Sequence, residues 1–128
     1  MKVKISIISA FTIALIALIC FEVSFSRGAL NDISSSSEKI IEQIEKNIEN
    51  DILENNLLSA YENWKNTEYR LLLIYNHKDL LEIGKELNQA ISYIQIDNKP
   101  EALVHLRLMQ EDLRSLQDII CFDYCNIL

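Results

Sequence analysis

From Ile5 to Phe21 the chain carries no charged residue, and this run constrains everything that follows. Glu22 interrupts it, and Val23 and Phe25 extend it. A helix rises about 1.5 Å per residue, so about 21 residues cross the roughly 30 Å of a bilayer's hydrocarbon core. Residues 1–27 therefore read as an N-terminal transmembrane helix, with residues 5–25 in the lipid bilayer. A cleaved signal peptide is the second reading. Lys2 and Lys4 would be its basic region, and Ser24, Phe25 and Ser26 a poor small-x-small cleavage site. A lipoprotein signal ending at Cys20 fits less well, because Ile19 stands where a small residue is needed. A buried helix of a soluble protein is the remaining reading.

Orientation follows from the flanking charges. Lys2 and Lys4 lie close to the apolar run and favour a cytoplasmic N-terminus. Arg27, Lys39 and Lys46 on the far side dilute that bias. The expected arrangement is a single pass through the cell membrane with the body on the extracytoplasmic face.

The rest of the chain, about 100 residues, suffices for one domain with one core. Hydrophobic residues make up 49% and charged residues 24%, the balance of a folded chain rather than a disordered one. Gly occurs twice and Pro once, too few turn formers for a sheet of many hairpins. Lys2, Lys4 and Arg27 hold three of the 12 basic residues and Glu22 one of the 19 acidic ones. The body beyond Gly28 thus sets nine basic against 18 acidic side chains. Such a surface repels phosphate backbones, which argues against a nucleic-acid partner.

The spacing of apolar residues predicts an all-α fold, a compact antiparallel bundle of about four helices behind the anchor. Ile41, Ile44, Ile48 and Ile52 recur at steps of three and four. So do Leu57, Tyr61, Trp64, Leu71 and Tyr75, with Glu68 interrupting, and then Leu80, Ile83, Leu87, Ile91 and Ile94. The last set is Ala102, Leu106, Met109, Leu113, Leu116 and Ile120. Each marks one buried face of a helix. Ser35 with Glu38, Asp51 with Glu54, Asp79 with Glu82 and Asn98 with Glu101 stand at capping-box spacing before these runs. The breaks at Asn50-Asp51, Asn76-His77-Lys78 and Asp97-Asn98-Lys99-Pro100 are short, which makes successive helices antiparallel neighbours. Residues 28–37, with serines at 34–37, read as a hinge between the anchor and a bundle of residues 38–128.

The stretch from Trp64 to Leu128 is familiar in its order and spacing. Trp64 with Thr67 is followed by Asn76-His77-x-Asp79-Leu80, then Leu87, Tyr93 and Asp97. Glu101-Ala102-Leu103 comes next, and Asn126-Ile127-Leu128 closes the chain. With the apolar start and the acidic first helix, this resembles the DUF4363 family of low-GC Gram-positive bacteria over nearly the whole chain. Asn50-Asp51-Ile52 stands where such proteins usually show a Gly-Asp-Trp-like turn, and Cys121 and Cys125 lie outside the pattern. The resemblance implies an anchored helical body and carries no activity with it.

Candidate site residues are few. Glu38, Glu42, Glu45 and Glu49 form one acidic stripe. A cation site or a docking face for a basic partner, centred on Glu42 and Glu45, is one reading; a solvated face is the simpler one. His77 and Asp79 could support acid–base chemistry, but Asp79 reads first as a helix cap. Trp64 reads as core, or else as an interface anchor. Glu101 and His105 are four apart, enough for a helical pair and not for a di-metal motif. Cys121 and Cys125 read as free thiols, with a terminal disulfide second. Gly28 and Gly84 are isolated, so no phosphate-binding loop is present.

No catalytic, metal or cofactor constellation is therefore expected. The reading is a non-catalytic protein-interaction module whose partner is a membrane protein. The alternative is a secreted helical protein, released by signal cleavage, that binds a cation or small ligand. A third is an enzyme using His77 or His105.

Overall fold

The computed structural model describes the backbone of residues 2–125 and the side chains of residues 4–119. Four helices follow one another: α1 (Lys2–Glu45), α2 (Asn50–Leu71), α3 (His77–Gln95) and α4 (Lys99–Cys125). No strand occurs among the described residues. α1 packs on α2 and α4, and α3 packs on the same two helices, while the diagonal pairs do not meet. The result is an up-down-up-down bundle with a square cross-section.

Polar side chains record the antiparallel register of α1 and α4. Arg107 Nη2 lies 3.3 Å from Glu45 Oε1, Gln110 Nε2 donates to Ser37 Oγ at 3.2 Å, and Gln117 Nε2 donates to Asn31 Oδ1 at 2.9 Å. The apolar stripes meet between the four helices. Leu30, Ile33, Ile40 and Ile44 of α1 join Leu53, Leu57, Trp64 and Leu71 of α2. All five predicted α3 residues are buried there, as is the α4 series from Ala102 to Leu116. Burying one such Leu or Ile stabilises the fold by about 1.5–3 kcal/mol relative to leaving it exposed.

The two hairpin turns at the far end of the bundle are built alike and locked together. Asn47 and Asp97 adopt left-handed backbone angles, φ 56° and 58°, just beyond α1 and α3. Asn is among the few residues that take this conformation readily, and Asp tolerates it for the same reason. Asn50 Nδ2 donates to Asp97 Oδ1 at 2.6 Å. Lys99 Nζ donates to Asn47 Oδ1 at 2.8 Å and to the Ile48 carbonyl at 3.0 Å.

Several local expectations need correction. α1 runs without a break through the serines read as a hinge. Ser37 is buried; its hydroxyl donates to the Ser34 carbonyl at 2.7 Å and accepts from Gln110. Small hydroxyl side chains can turn their polar end back onto the helix, so a serine run fits a tightly packed helix face. The bundle core accordingly begins with Ser26 and Leu30, well before residue 38. Ser35 caps nothing, since it lies inside α1. The N-cap of α2 is Glu49, without a side-chain cap bond, rather than Asp51. Asn76 caps α3 by accepting from the Lys78 N–H at 3.1 Å, so Asp79 is not the cap. At α4, Asn98 Oδ1 does accept from the Glu101 N–H, at 3.3 Å. α2 stops at Leu71, short of Tyr75. The side chains of Cys121 and Cys125 lie outside the described residues, as does that of Ile120.

Candidate functional site: a groove along the α1–α2 seam

Above the apolar run, one face of α1 carries small side chains at near-fourfold spacing: Ser24, Gly28, Asp32 and Ser36. Residues four apart stack on one side of a helix. The facing side of α2 carries Asn56, Ala60, Asn63 and Thr67. Short side chains on both helices leave the valley between them unfilled. Its lower part, beside Phe25, Gly28, Asp32 and Thr67, encloses about 540 Å³. Its upper part, beside Lys39, Gln43 and Asn56, adds about 240 Å³. Ser36, Ala60 and Asn63 line both parts, so the valley is continuous.

The groove is amphipathic. Ala29, Ile33 and Ala60 supply its apolar floor, and Asp32, Asn63 and Asn66 its hydrogen-bonding rim. Asn56 Nδ2 donates to Gln43 Oε1 at 2.9 Å across the upper part. Thr67 already donates to the Asn63 carbonyl at 2.9 Å. At the lower end the Arg70 guanidinium lies over the Phe25 ring, 3.6 Å from its centroid, and ties the end of α2 to α1. Cation–π contacts of this kind contribute about 0.5–1 kcal/mol at exposed sites. Small side chains let another backbone approach closely, and carbonyl and amide side chains can bond a helix or an extended segment laid in the valley.

A second polar cluster sits on the opposite seam. Glu86 of α3 is buried, and its Oε2 lies 2.6 Å from His105 Nδ1 of α4. The Tyr93 ring stacks on the imidazole, with centroids 5.2 Å apart and planes 11° from parallel. Asp112 lies near Glu86, Glu82, Glu111 and Asp79. Burial first, and then these negative neighbours, push its carboxyl above the usual carboxylate range. Among the described residues no three His, Cys, Asp or Glu side chains converge as metal ligands. The geometry is that of a tie between helices: a buried carboxylate satisfied by an imidazole held flat by a tyrosine.

The residues singled out in the sequence are not brought together. Trp64 is fully buried in the core, which removes it as an interface anchor of the folded bundle. A Cβ placed on Gly84 of α3 would stand 3.1 Å from its Nε1. His77 and Asp79 are exposed at the α2–α3 end. Glu42 and Glu45 are exposed near the opposite end. Glu42 is hydrogen-bonded to Lys46, which holds its carboxyl below the usual range, and Glu45 faces Arg107. His105 pairs with Glu86 on the neighbouring helix rather than with Glu101 on its own. Sequence reasoning missed the groove, whose one legible signal is the recurrence of small residues at positions 24, 28, 32 and 36.

Neither the curated proteins nor the solved structures include a match to this chain. The family description "Domain of unknown function (DUF4363)" matches residues 24–127, which takes in the upper part of α1 and the other three helices. The chain belongs to the DUF4363 family.

Proposed function

We propose that this protein is a membrane-anchored, non-catalytic interaction module that presents its bundle on the extracytoplasmic face and receives a partner protein in the α1–α2 groove. One observation carries the reading: α1 is a single helix whose two halves have opposite fates. From residue 4 to residue 21 its side chains are exposed, although the stretch is long and apolar enough to cross a membrane. From Ser26 onward the same helix is one wall of the bundle core. Exposed apolar surface on that scale is unfavourable in water and favourable in lipid. Phe11, at 67% exposure, has no seat in the bundle at all.

A helix that is continuous across the membrane boundary does more than tether. It fixes the height and direction of the groove above the bilayer. A membrane protein whose helix rises beside α1 would meet the valley already aligned. Anchoring both chains in one membrane also raises their effective concentration.

Two measurements test the reading. The intact mass of the protein from its native membrane fraction should include residues 1–26; a mass beginning near Arg27 would instead mean a released domain. Photo-crosslinkers at Asp32 and Asn63 should trap one partner of defined mass, while the same group at Arg114 on α4 traps none. Equal trapping at all three positions would remove the groove as the docking face.

A further inference from the structure

The last turn of α2 and its connection to α3 expose large apolar side chains. Leu73 is 87% exposed and Tyr69 79%, and Leu72 lies beside them at 38%. The turn is not a loose loop. Leu73 N–H donates to the Arg70 carbonyl, and the N–H groups of Ile74 and Tyr75 both donate to the Leu71 carbonyl. Its backbone is therefore wound, and it holds the leucines outward, with no seat for them in the core.

The position of this turn along α1 is known. Arg70 rests on the Phe25 ring, so the end of α2 lies level with residue 25. That is four residues, or about 6 Å of helix rise, above Phe21, where the uncharged run ends. The polar layer on each side of a bilayer is about 5–7 Å deep, from a total of about 40–45 Å around a core of about 30 Å. Residues 5–21 span about 26 Å of helix and residues 5–25 about 32 Å, so the turn stands at the edge of the hydrocarbon, where it meets the headgroups. Its charge fits that place. Residues 69–78 carry Arg70 and Lys78 and no acidic residue, in a body that is otherwise strongly acidic. Tyr69 stands exposed one turn before the leucines, and tyrosine favours the membrane–water interface.

From this we infer a second membrane contact: Tyr69, Leu72 and Leu73 insert into the interfacial layer of the bilayer that α1 enters, so that the bundle stands on the membrane instead of hanging above it. The inference rests on the anchor reading, since the lipid surface is placed by α1. Two points of contact fix the rotation of the bundle about α1, which a single helix cannot do, and so fix which way the groove faces.

The test uses the full chain in phosphatidylcholine vesicles, in a background of Cys20→Ala, Cys121→Ser and Cys125→Ser. One reporter cysteine at a time, from Leu73→Cys, Ile16→Cys or Arg114→Cys, carries an environment-sensitive fluorophore. The Leu73 position should show blue-shifted emission, quenched by a lipid nitroxide near the headgroup more than by one at the chain end. Ile16 should respond to the chain-end nitroxide, and Arg114 only to aqueous iodide. If the Leu73 position behaves like Arg114 while Ile16 remains deep, the second contact is overturned and the anchor stands. If it is reached by neither lipid nor iodide, protein covers the turn and the inference fails as well. If Ile16 is itself reached by iodide, the anchor reading falls and takes the inference with it.

Discussion

The two glycines show how one residue type takes opposite roles within helices. Nothing lies within 4 Å of a Cβ built on Gly28, whereas one built on Gly84 meets Trp64 Nε1 at 3.1 Å. Alanine in a helix interior is favoured over glycine by about 0.5–1 kcal/mol. Gly28→Ala should therefore raise stability by about that amount, while narrowing the groove and weakening capture of a partner there. Gly84→Ala should lower stability, because the fully buried Trp64 has nowhere to retreat. In a Trp64→Leu background the same change should become stabilising, which urea unfolding of the four chains of the cycle will read. Asp112 gives a pH-dependent case. Its carboxyl is raised in the folded state, so folding favours the protonated form, and the ionised group costs stability as pH rises through the carboxylate range. Asp112→Asn should thus raise the melting temperature at neutral pH and leave it unchanged well below that range. An equal gain at both pH values would mean that charge is not the cause.

Among the elements, α3 and α4 were the most legible in the sequence and α1 the least. The 4-3-4-3 series from Ala102 to Leu116 lies on one buried face because a single stripe meets both neighbouring helices. Leu80, Ile83, Leu87, Ile91 and Ile94 behave in the same way. Between residues 24 and 37, α1 instead carries serines, a glycine and one alanine, a composition that in isolation reads as linker. The buried apolar members of that stretch, Leu30 and Ile33, are too sparse to announce a stripe. The groove was illegible for a related reason: it exists only where two small-residue faces meet, and spacing along one helix does not show which face its neighbour offers. The Glu86–His105 tie is likewise a contact across helices, invisible to spacing along either one. Continuity of α1 has a direct consequence. Ser35 is exposed in mid-helix, so Ser35→Pro removes a backbone hydrogen bond and should cost about 3 kcal/mol or more. A flexible hinge would tolerate the same substitution with no change in the melting temperature.

At the scale of the whole molecule, the bundle is closed at its far end and open to other contacts at its near end. At the end away from the apolar run, Lys99 and Asn50 bind the two hairpin turns to each other. Lys99→Met should remove both of its hydrogen bonds to the α1–α2 turn and cost about 1 kcal/mol, measured as a lower denaturation midpoint with the same slope. Near the apolar run, the exposed apolar residues of α1 and the α2–α3 turn lie at adjacent heights, and the lower groove opens just above them. Glu38, Glu42 and Glu45 lie on the upper part of α1 and Glu49 at the start of α2, all away from that end. The molecule is thus polarised along its length: apolar run, tyrosine and leucine turn, groove, acidic head.

The central claim is that one unbroken helix joins the apolar run to the bundle core. Amide hydrogen exchange of the full chain in lipid nanodiscs, followed across residues 22–37, tests it most directly. A continuous helix predicts protection throughout, with the amides at 28–37 as slow as their neighbours at 38–45. Fast exchange confined to 28–37 would mean that the bundle swings on a hinge, and that neither the height nor the facing of the groove is set by α1.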